Sequence, residues 1–156
     1  MPSEFDFQTI TPIALNLPDT VLGWLYIGVW MVVMGAILWV GGSIYRTVTG
    51  RQWGLTVLFS VLAFAFAIPR VELLGGADLP FLGQFTNGVT YRPLGFIAVA
   101  VAAWMLNPML ALIVGAAEGV SRALFGSHQP TDIFHYALIG LGVSILIQQT
   151  DRKSVV

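Results

Sequence analysis

The sequence has no cysteine and only two histidines among its 156 residues. Without cysteine, disulfide bonds and thiolate metal sites are excluded. His128 and His135 flank the start of the last apolar segment, and too few carboxylates accompany them to build a metal site. We therefore interpret both as surface histidines and expect no metal and no cofactor. Axial ligation of a pigment or haem by His135 is the alternative.

Charged residues are also scarce. They make up 10% of the chain, against about 25% in soluble domains. Hydrophobic residues make up 56%, and the mean hydropathy is +0.82. A soluble core of this size could not bury so much apolar surface, whereas a bilayer removes the need to bury it. The net charge of −1 provides no basic face for nucleic acid. This composition predicts an integral membrane protein in contact with the lipid bilayer.

The N-terminus lacks the basic region with which a cleavable signal peptide begins. It carries Glu4 and Asp6 instead, and the first apolar segment is longer than the apolar region of a signal peptide. We therefore expect this segment to be retained. Five apolar segments predict an all-α bundle of about five transmembrane helices, over about residues 21–45, 53–68, 93–106, 109–125 and 133–148.

The distribution of basic residues predicts the orientation. The turn 46–51 has two arginines and the C-terminal tail has Arg152 and Lys153, whereas the N-terminal segment has no basic residue. The positive-inside rule then places the N-terminus outside and the C-terminus in the cytoplasm, which an odd number of spans satisfies. We predict an extracytoplasmic lead-in over 1–18, a five-span domain over 19–149 and a cytoplasmic tail over 150–156, in a bacterial inner membrane.

Glu118 and Arg122 are the principal candidates for a functional site. They lie four residues apart on the fourth span and therefore on one helix face. Ionisable residues inside a membrane are costly, so they indicate a functional site by default. The simplest interpretation is an intrahelical ion pair in which Arg122 extends towards the interface. The alternatives are that Arg122 binds an anionic or polar ligand while Glu118 orients it, or that Glu118 relays protons.

Further candidates lie near the ends of neighbouring spans. Arg92 and Tyr91 precede the third span, and Asn107 precedes Pro108 at the turn before the fourth. An interfacial position explains Arg92 simply, while convergence with Arg122 on one ligand is the alternative. Gly115 and Gly119 form a small-xxx-small pair that allows close helix packing.

Sequence motifs of common enzyme classes are missing. The chain has no phosphate-binding loop, no dinucleotide fingerprint, no nucleophile elbow and no His-Glu-x-x-His motif. No nucleophile paired with a base is evident. We therefore do not expect an enzyme.

The order of these motifs resembles the five-span membrane sensor domain of LytS-type histidine kinases. The resemblance covers roughly residues 20–148 and rests on an arginine heading the third span and on the pattern Asn107-Pro108-x6-Gly115-x3-Gly119-x2-Arg122-x3-Gly126, followed by Gly140 and Gly142. It implies a domain that senses small extracellular signals, including small carboxylates, with Arg92 and Arg122 matching the family's two arginines.

The sequence departs from that family at several positions. Thr90 stands where the family has asparagine, and Asn107 replaces the glycine before Pro108. No output domain follows residue 156, so we expect a stand-alone module. Residues 95–146 are also similar to part of the substrate-binding subunits of energy-coupling-factor vitamin transporters, which usually have six spans.

These observations lead to three functional hypotheses. The first is a sensor-type membrane module that binds a small carboxylate or another small polar ligand from the outer side, through Arg92, Arg122, Glu118, Tyr91 and Asn107. The second is an accessory subunit of a larger membrane complex for transport, energy conversion or pigment binding, held by protein partners in the membrane. The third is the vitamin-capture subunit of an energy-coupling-factor transporter.

Overall fold

The computed structural model describes residues 15–68, 71–72, 78–79, 83–84, 90–91 and 93–153. Within these residues the chain forms five helices, namely α1 (Val21–Tyr45), α2 (Gly50–Phe66), α3 (Pro93–Met105), α4 (Pro108–Phe125) and α5 (Thr131–Lys153). The predicted all-α fold class is thereby confirmed.

Three of these helices are long and apolar enough to cross a membrane. They are α1, α4 and the part of α5 from Thr131 to Thr150, whereas α2 and α3 are shorter apolar helices. The predicted membrane protein is therefore confirmed at the level of candidate spans. With 17 and 13 residues, α2 and α3 extend about 26 and about 20 Å, less than the ~30 Å of a hydrocarbon core. A count of five complete spans stays a prediction.

Side-chain caps fix where α1 and α2 begin. The Thr20 hydroxyl accepts a hydrogen bond from the backbone N–H of Gly23 at 3.2 Å and so caps α1. Thr49 and Gln52 form a reciprocal capping box at α2. This box starts α2 at Gly50 rather than at the predicted residue 53, because polar residues of the predicted turn already satisfy the first free N–H groups.

The connector between α2 and α3 contains two short antiparallel pairs that the sequence did not indicate. Strand β1 (Val71–Glu72) pairs with β4 (Thr90–Tyr91), and β2 (Asp78–Leu79) pairs with β3 (Gly83–Gln84). The β1–β4 pair joins the two ends of the connector. It therefore holds the last turn of α2 near the first turn of α3.

Helix α4 is the centre of the bundle. It packs against α5, α2 and α3, and more than half of its span is buried (56%). The apolar core where α2, α3 and α4 meet is built largely from small side chains and comprises Phe59, Ala63, Ala98, Val99, Ala102, Leu106, Leu110 and Val114. Because alanines dominate the α3 face, the helices approach closely enough to enclose this core with few large residues.

Glycines bring α4 and α5 into backbone contact. A methyl group at Gly115 would overlap the carbonyl oxygen of Tyr136, and one at Gly140 would overlap the carbonyl of Ala111. A Cβ at Gly119 would lie 2.6 Å from the carbonyl oxygen of Asp132. These contacts confirm that Gly115 and Gly119 serve close helix packing.

Helix α1 lies at the edge of the bundle. Only 6% of its span is buried, and among its residues only Gly41 is fully covered, by the side chain of Met109. In the N-terminal half of the helix, Trp30 stacks on Phe134 with ring centroids 6.2 Å apart. The helix therefore contacts the bundle through a few residues in each half and leaves most of its apolar surface uncovered.

Helix α5 extends beyond the predicted fifth span. The helix continues through Lys153, so the predicted tail beginning at residue 150 starts inside it. The apolar span was expected to end at residue 148 because the next residues are polar. A change from apolar to polar residues marks the end of a membrane-compatible segment but does not interrupt helical hydrogen bonding.

Candidate functional site

A buried ion pair lies near the C-terminal end of α4. The Arg122 guanidinium donates two hydrogen bonds to the same oxygen of Glu118, from Nε at 2.9 Å and from Nη2 at 2.7 Å. The side chain of Glu118 is completely buried, whereas that of Arg122 is 18% exposed. Arg122 therefore lies between the carboxylate and the surface of the bundle. This geometry agrees with the predicted intrahelical pair.

Tyr136 of α5 completes a cluster around Arg122. The guanidinium carbon lies 4.3 Å above the centre of the Tyr136 ring, within the range of a cation–π interaction. The backbone contact between Gly115 and Tyr136 explains this proximity, because it fixes α5 against α4 at this level. The arginine thus has an anionic partner on its own helix and an aromatic partner on the next.

The start of α3 also lies close to the Glu118 carboxylate. A Cβ built at Gly95 would lie 2.8 Å from Oε1 of Glu118 and 3.2 Å from the Cβ of Ala67. Gly95 is the third residue of α3, where unpaired backbone N–H groups favour nearby negative charge. The glycine therefore leaves the room that the carboxylate occupies, and the start of α3 helps to stabilise its charge.

One oxygen of this carboxylate remains without a hydrogen bond from any described residue. Oε2 of Glu118 is buried and has no such partner, and the same holds for the hydroxyl of Ser121, three residues later on α4. A buried polar atom without a partner is costly. The two hydrogen bonds that Arg122 donates to Glu118 both end on Oε1, so Oε2 is an acceptor without a described donor.

The turn between α4 and α5 is fixed by local hydrogen bonds. The Ser127 hydroxyl donates to Oδ2 of Asp132 at 2.5 Å and accepts from the backbone N–H of Gln129 at 3.1 Å. His128 adopts a positive φ of 59°, and its carbonyl accepts from the backbone N–H of Asn16 at 2.7 Å. The segment before α1 is thereby attached to the end of the bundle that holds Glu118 and Arg122.

His135 participates in a contact between α1 and α5. Its Nε2 lies 3.5 Å from the hydroxyl of Tyr26, and its ring meets that of Trp30 edge-on at 5.1 Å. The predicted surface histidine is thus partly covered by α1. No group of three or more His, Asp or Glu that could hold a metal ion occurs among the described residues.

The predicted ligand-binding residues do not all meet. Asn107 caps the start of α4, where its Oδ1 accepts from the N–H of Leu110 at 3.0 Å. Fifteen helical residues, or about 22 Å, separate it from Arg122, so the two cannot contact one small ligand. Arg92 lies outside the described residues, and Tyr91 is described only by its backbone in β4. Of the five predicted residues, Glu118 and Arg122 are the pair in direct contact.

Two contributors to the site were missed from the sequence. Tyr136 was not selected, although an antiparallel helix pair joined by a short turn brings residues at similar distances from the turn face to face. Gly95 was also missed, because nothing in the sequence around it indicates a close approach to a carboxylate.

Comparisons with known proteins do not add a family. The chain matches no protein-family profile, no curated protein and no solved structure.

Proposed function

We propose that this protein is a sensor-type membrane module that binds a small polar ligand at the Glu118–Arg122 pair. One observation carries the proposal: a fully buried carboxylate and a partly exposed arginine lie together inside a candidate membrane span. Groups of this kind are expensive in lipid and mark functional sites by default.

The surroundings of the pair support binding at this end of the bundle. Arg122 is the exposed member, so a ligand approaching from the end near Gly126 meets its positive charge first. The aromatic face of Tyr136 limits the directions that the guanidinium can take. Under the predicted orientation, this end faces the outside of the membrane.

Arg92 remains part of the proposal through chain connectivity. A Cβ at Gly95 would meet the Glu118 carboxylate, and Arg92 precedes Gly95 by three residues. Three residues span at most about 11 Å. A second arginine could therefore reach a ligand held by Arg122, as in the resemblance to sensor domains. Tyr91 is its neighbour in the chain, whereas Asn107 lies at the opposite end of α4 and is not included.

The test is direct binding by the full chain in lipid nanodiscs. A panel of small carboxylates, with and without an ammonium group, would be titrated into wild type and into the double variant Glu118→Leu/Arg122→Met. The double variant removes both charges together, so neither is left unpaired and the fold is retained. We expect wild type to bind at least one member of the panel and the double variant to bind none.

Arg46→Ala provides a matched control. Arg46 is an exposed arginine just after α1, at the opposite end of the chain's helices from the α4–α5 turn. Removing it lowers the positive charge by one without touching the pair, so binding should be unchanged. Equal affinity of wild type and the double variant for every ligand would overturn the proposal.

A second function is favoured by the exposure of α1. Glycines at 28, 35 and 42 have no neighbour within 4 Å and recur every seven residues, a spacing that keeps them on one helix face. An accessory subunit could use this face against a partner helix. Stable stoichiometric co-purification of one partner in mild detergent, lost in Gly35→Leu, would support this role. A monomeric preparation with full ligand binding would oppose it. The transporter-subunit hypothesis stays a prediction, because no described contact favours it.

A further inference from the structure

The turn between α1 and α2 is flanked by two exposed arginines. Arg46 directly follows α1, and Arg51 is the second residue of α2. Neither side chain has a hydrogen bond or an ion pair with any of the residues that the structure describes. The positive charge of this turn is therefore available to a partner outside the chain.

Local hydrogen bonds fix the backbone between the two arginines. The Thr47 hydroxyl donates to the carbonyl of Ile44 at 2.8 Å, and Thr49 and Gln52 form the capping box that starts α2. Val48, within the turn, packs against the apolar core. The turn is thus ordered before any partner arrives, so binding there costs little backbone entropy.

Basic residues are concentrated around this turn. The contacts of Gly41 with Met109 and of Ser144 with the carbonyl of Leu106 bring the turn, the start of α4 and the C-terminal part of α5 to one end of the bundle. The turn with its flanking arginines and the last turn of α5 together hold four of the seven basic residues of the chain, but one of its eight acidic residues. This excess of positive charge favours a partner with net negative charge.

Aromatic and apolar side chains border the arginines. Tyr45 and Trp53 stack with their ring centroids 6.3 Å apart, and Trp53 is 40% exposed. One turn further along α2, Val57 is 61% exposed. Tyrosine and tryptophan are enriched at the headgroup level of a membrane. A phospholipid fits such a surface better than a soluble acidic protein does, because it combines an anionic headgroup with apolar chains.

We propose that the α1–α2 turn binds the headgroups of anionic phospholipids, with Arg46 and Arg51 donating charge-assisted hydrogen bonds to lipid phosphate. Zwitterionic phospholipids have the same phosphate, but their ammonium group cancels its charge. The surplus of basic residues therefore selects the anionic class. The turn lies at the opposite end of the bundle from Glu118 and Arg122, so this inference does not depend on the proposed function.

The experiment compares phosphatidylglycerol with phosphatidylcholine of the same acyl chains. Each lipid would be titrated into wild type in an uncharged detergent, and the rise in melting temperature would report binding to the folded protein. We expect phosphatidylglycerol to bind at least about tenfold more tightly, since each arginine near an anionic headgroup contributes about fivefold. Equal affinity, or binding of neither lipid, would overturn the proposal.

Arg46→Gln and Arg51→Gln test the turn directly. Each variant should lower the affinity for phosphatidylglycerol about fivefold, and the double variant should bind the two lipids nearly equally. The fold should be retained, because both arginines are exposed and Arg51 lies in the first turn of α2, where positive charge is unfavourable. An undiminished preference in the double variant would overturn the proposal.

Gln129→Glu is the matched control for net charge. Gln129 is exposed in the α4–α5 turn, at the opposite end of the bundle, and its replacement lowers the net charge by one, as Arg51→Gln does. The preference for phosphatidylglycerol should therefore persist. A loss equal to that in Arg51→Gln would show that overall charge selects the lipid, and the α1–α2 turn would lose its role.

Inorganic phosphate distinguishes a lipid from a free anion. The titration would be repeated with phosphate in excess over phosphatidylglycerol, against chloride at the same ionic strength. We expect most of the lipid to remain bound, because its acyl chains also contact the exposed apolar faces of α1 and α2. Complete displacement by phosphate would assign the turn to a free anion and overturn the lipid.

Discussion

Helices α1 and α4 differ in a way that separates hydrophobicity from burial. Helix α1 is the longer and the more apolar, yet 6% of its span is buried against 56% for α4. In water the more apolar helix would occupy the core. In lipid there is no such driving force, and small residues and polar contacts determine which helices pack.

The two helices also differ in their charged residues. The buried pair of Glu118 and Arg122 lies on α4, whereas α1 contains no charged residue. A charge that faces lipid is costly. Inside the bundle, Arg122 and the start of α3 stabilise the Glu118 carboxylate, and the Tyr136 ring stabilises Arg122. The helix that carries charge must therefore be central, and the uncharged helix is free to lie at the edge.

Breaking the ion pair should produce the largest change. Arg122→Met leaves Glu118 buried without its cation, and such single disruptions cost about 3–5 kcal/mol. Adding Glu118→Leu should recover most of the loss, because the double variant has no buried charge. Thermal unfolding in detergent, monitored by circular dichroism, would measure both. Additive losses in the two single variants and no recovery in the double would contradict the account of α4.

Adding a methyl group at matched glycines should show the next largest effect. Gly115→Ala pushes a Cβ into the carbonyl oxygen of Tyr136, whereas Gly35→Ala enters open space. We expect the first to lower stability by about 1–3 kcal/mol or to separate α4 from α5. The second should be neutral or slightly stabilising, since alanine favours a helix over glycine. Similar melting temperatures for both variants would remove the distinction between the two helices.

The attachment of α1 can be tested with two tryptophans. Trp30 stacks on Phe134, whereas Trp39 is 87% exposed. Trp30→Leu should weaken the α1–α5 contact by about 0.5–1.5 kcal/mol, the range of an aromatic pair. Hydrogen exchange of α1 would accelerate while that of α4 stays slow. The same substitution at Trp39 should leave exchange unchanged, and faster exchange in α4 would show that α1 is not peripheral.

The smallest expected effect concerns Tyr136. Replacing its ring by leucine removes the cation–π contact with Arg122 and should cost about 0.5–2 kcal/mol. Tyr136→Phe keeps a ring under the guanidinium and should retain most of that stability. Equal losses in the two variants would show that the hydroxyl, and not the ring, stabilises this position.

The sequence predicted the positions of the helices better than the contacts between them. Each apolar run became a helix, because hydrophobic length determines where a helix is stable in lipid. The start of α2 was placed three residues late, since Thr49 and Gln52 form a cap in what reads as a turn. Packing partners depend on three-dimensional geometry, so the contact between Gly95 and Glu118 had no local signal.

The sequence predicted the contact within one helix of the site but not the contacts between helices. Glu118 and Arg122 share one helix face, and their pairing follows from a spacing of four residues. Asn107 was grouped with them because it is polar and precedes the same helix. The length of α4 places Asn107 about 22 Å from Arg122. Tyr136 required knowledge of how α5 lies against α4.

The most direct measurement is a cryo-electron microscopy map of the full chain in lipid nanodiscs, saturated with the panel member that wild type binds most tightly. We predict density for the ligand beside the Arg122 guanidinium, with the Tyr136 ring beneath the arginine. An Arg122 side chain extended into lipid headgroups, with Glu118 closed off by α2 and α3 and no ligand density beside it, would contradict the account.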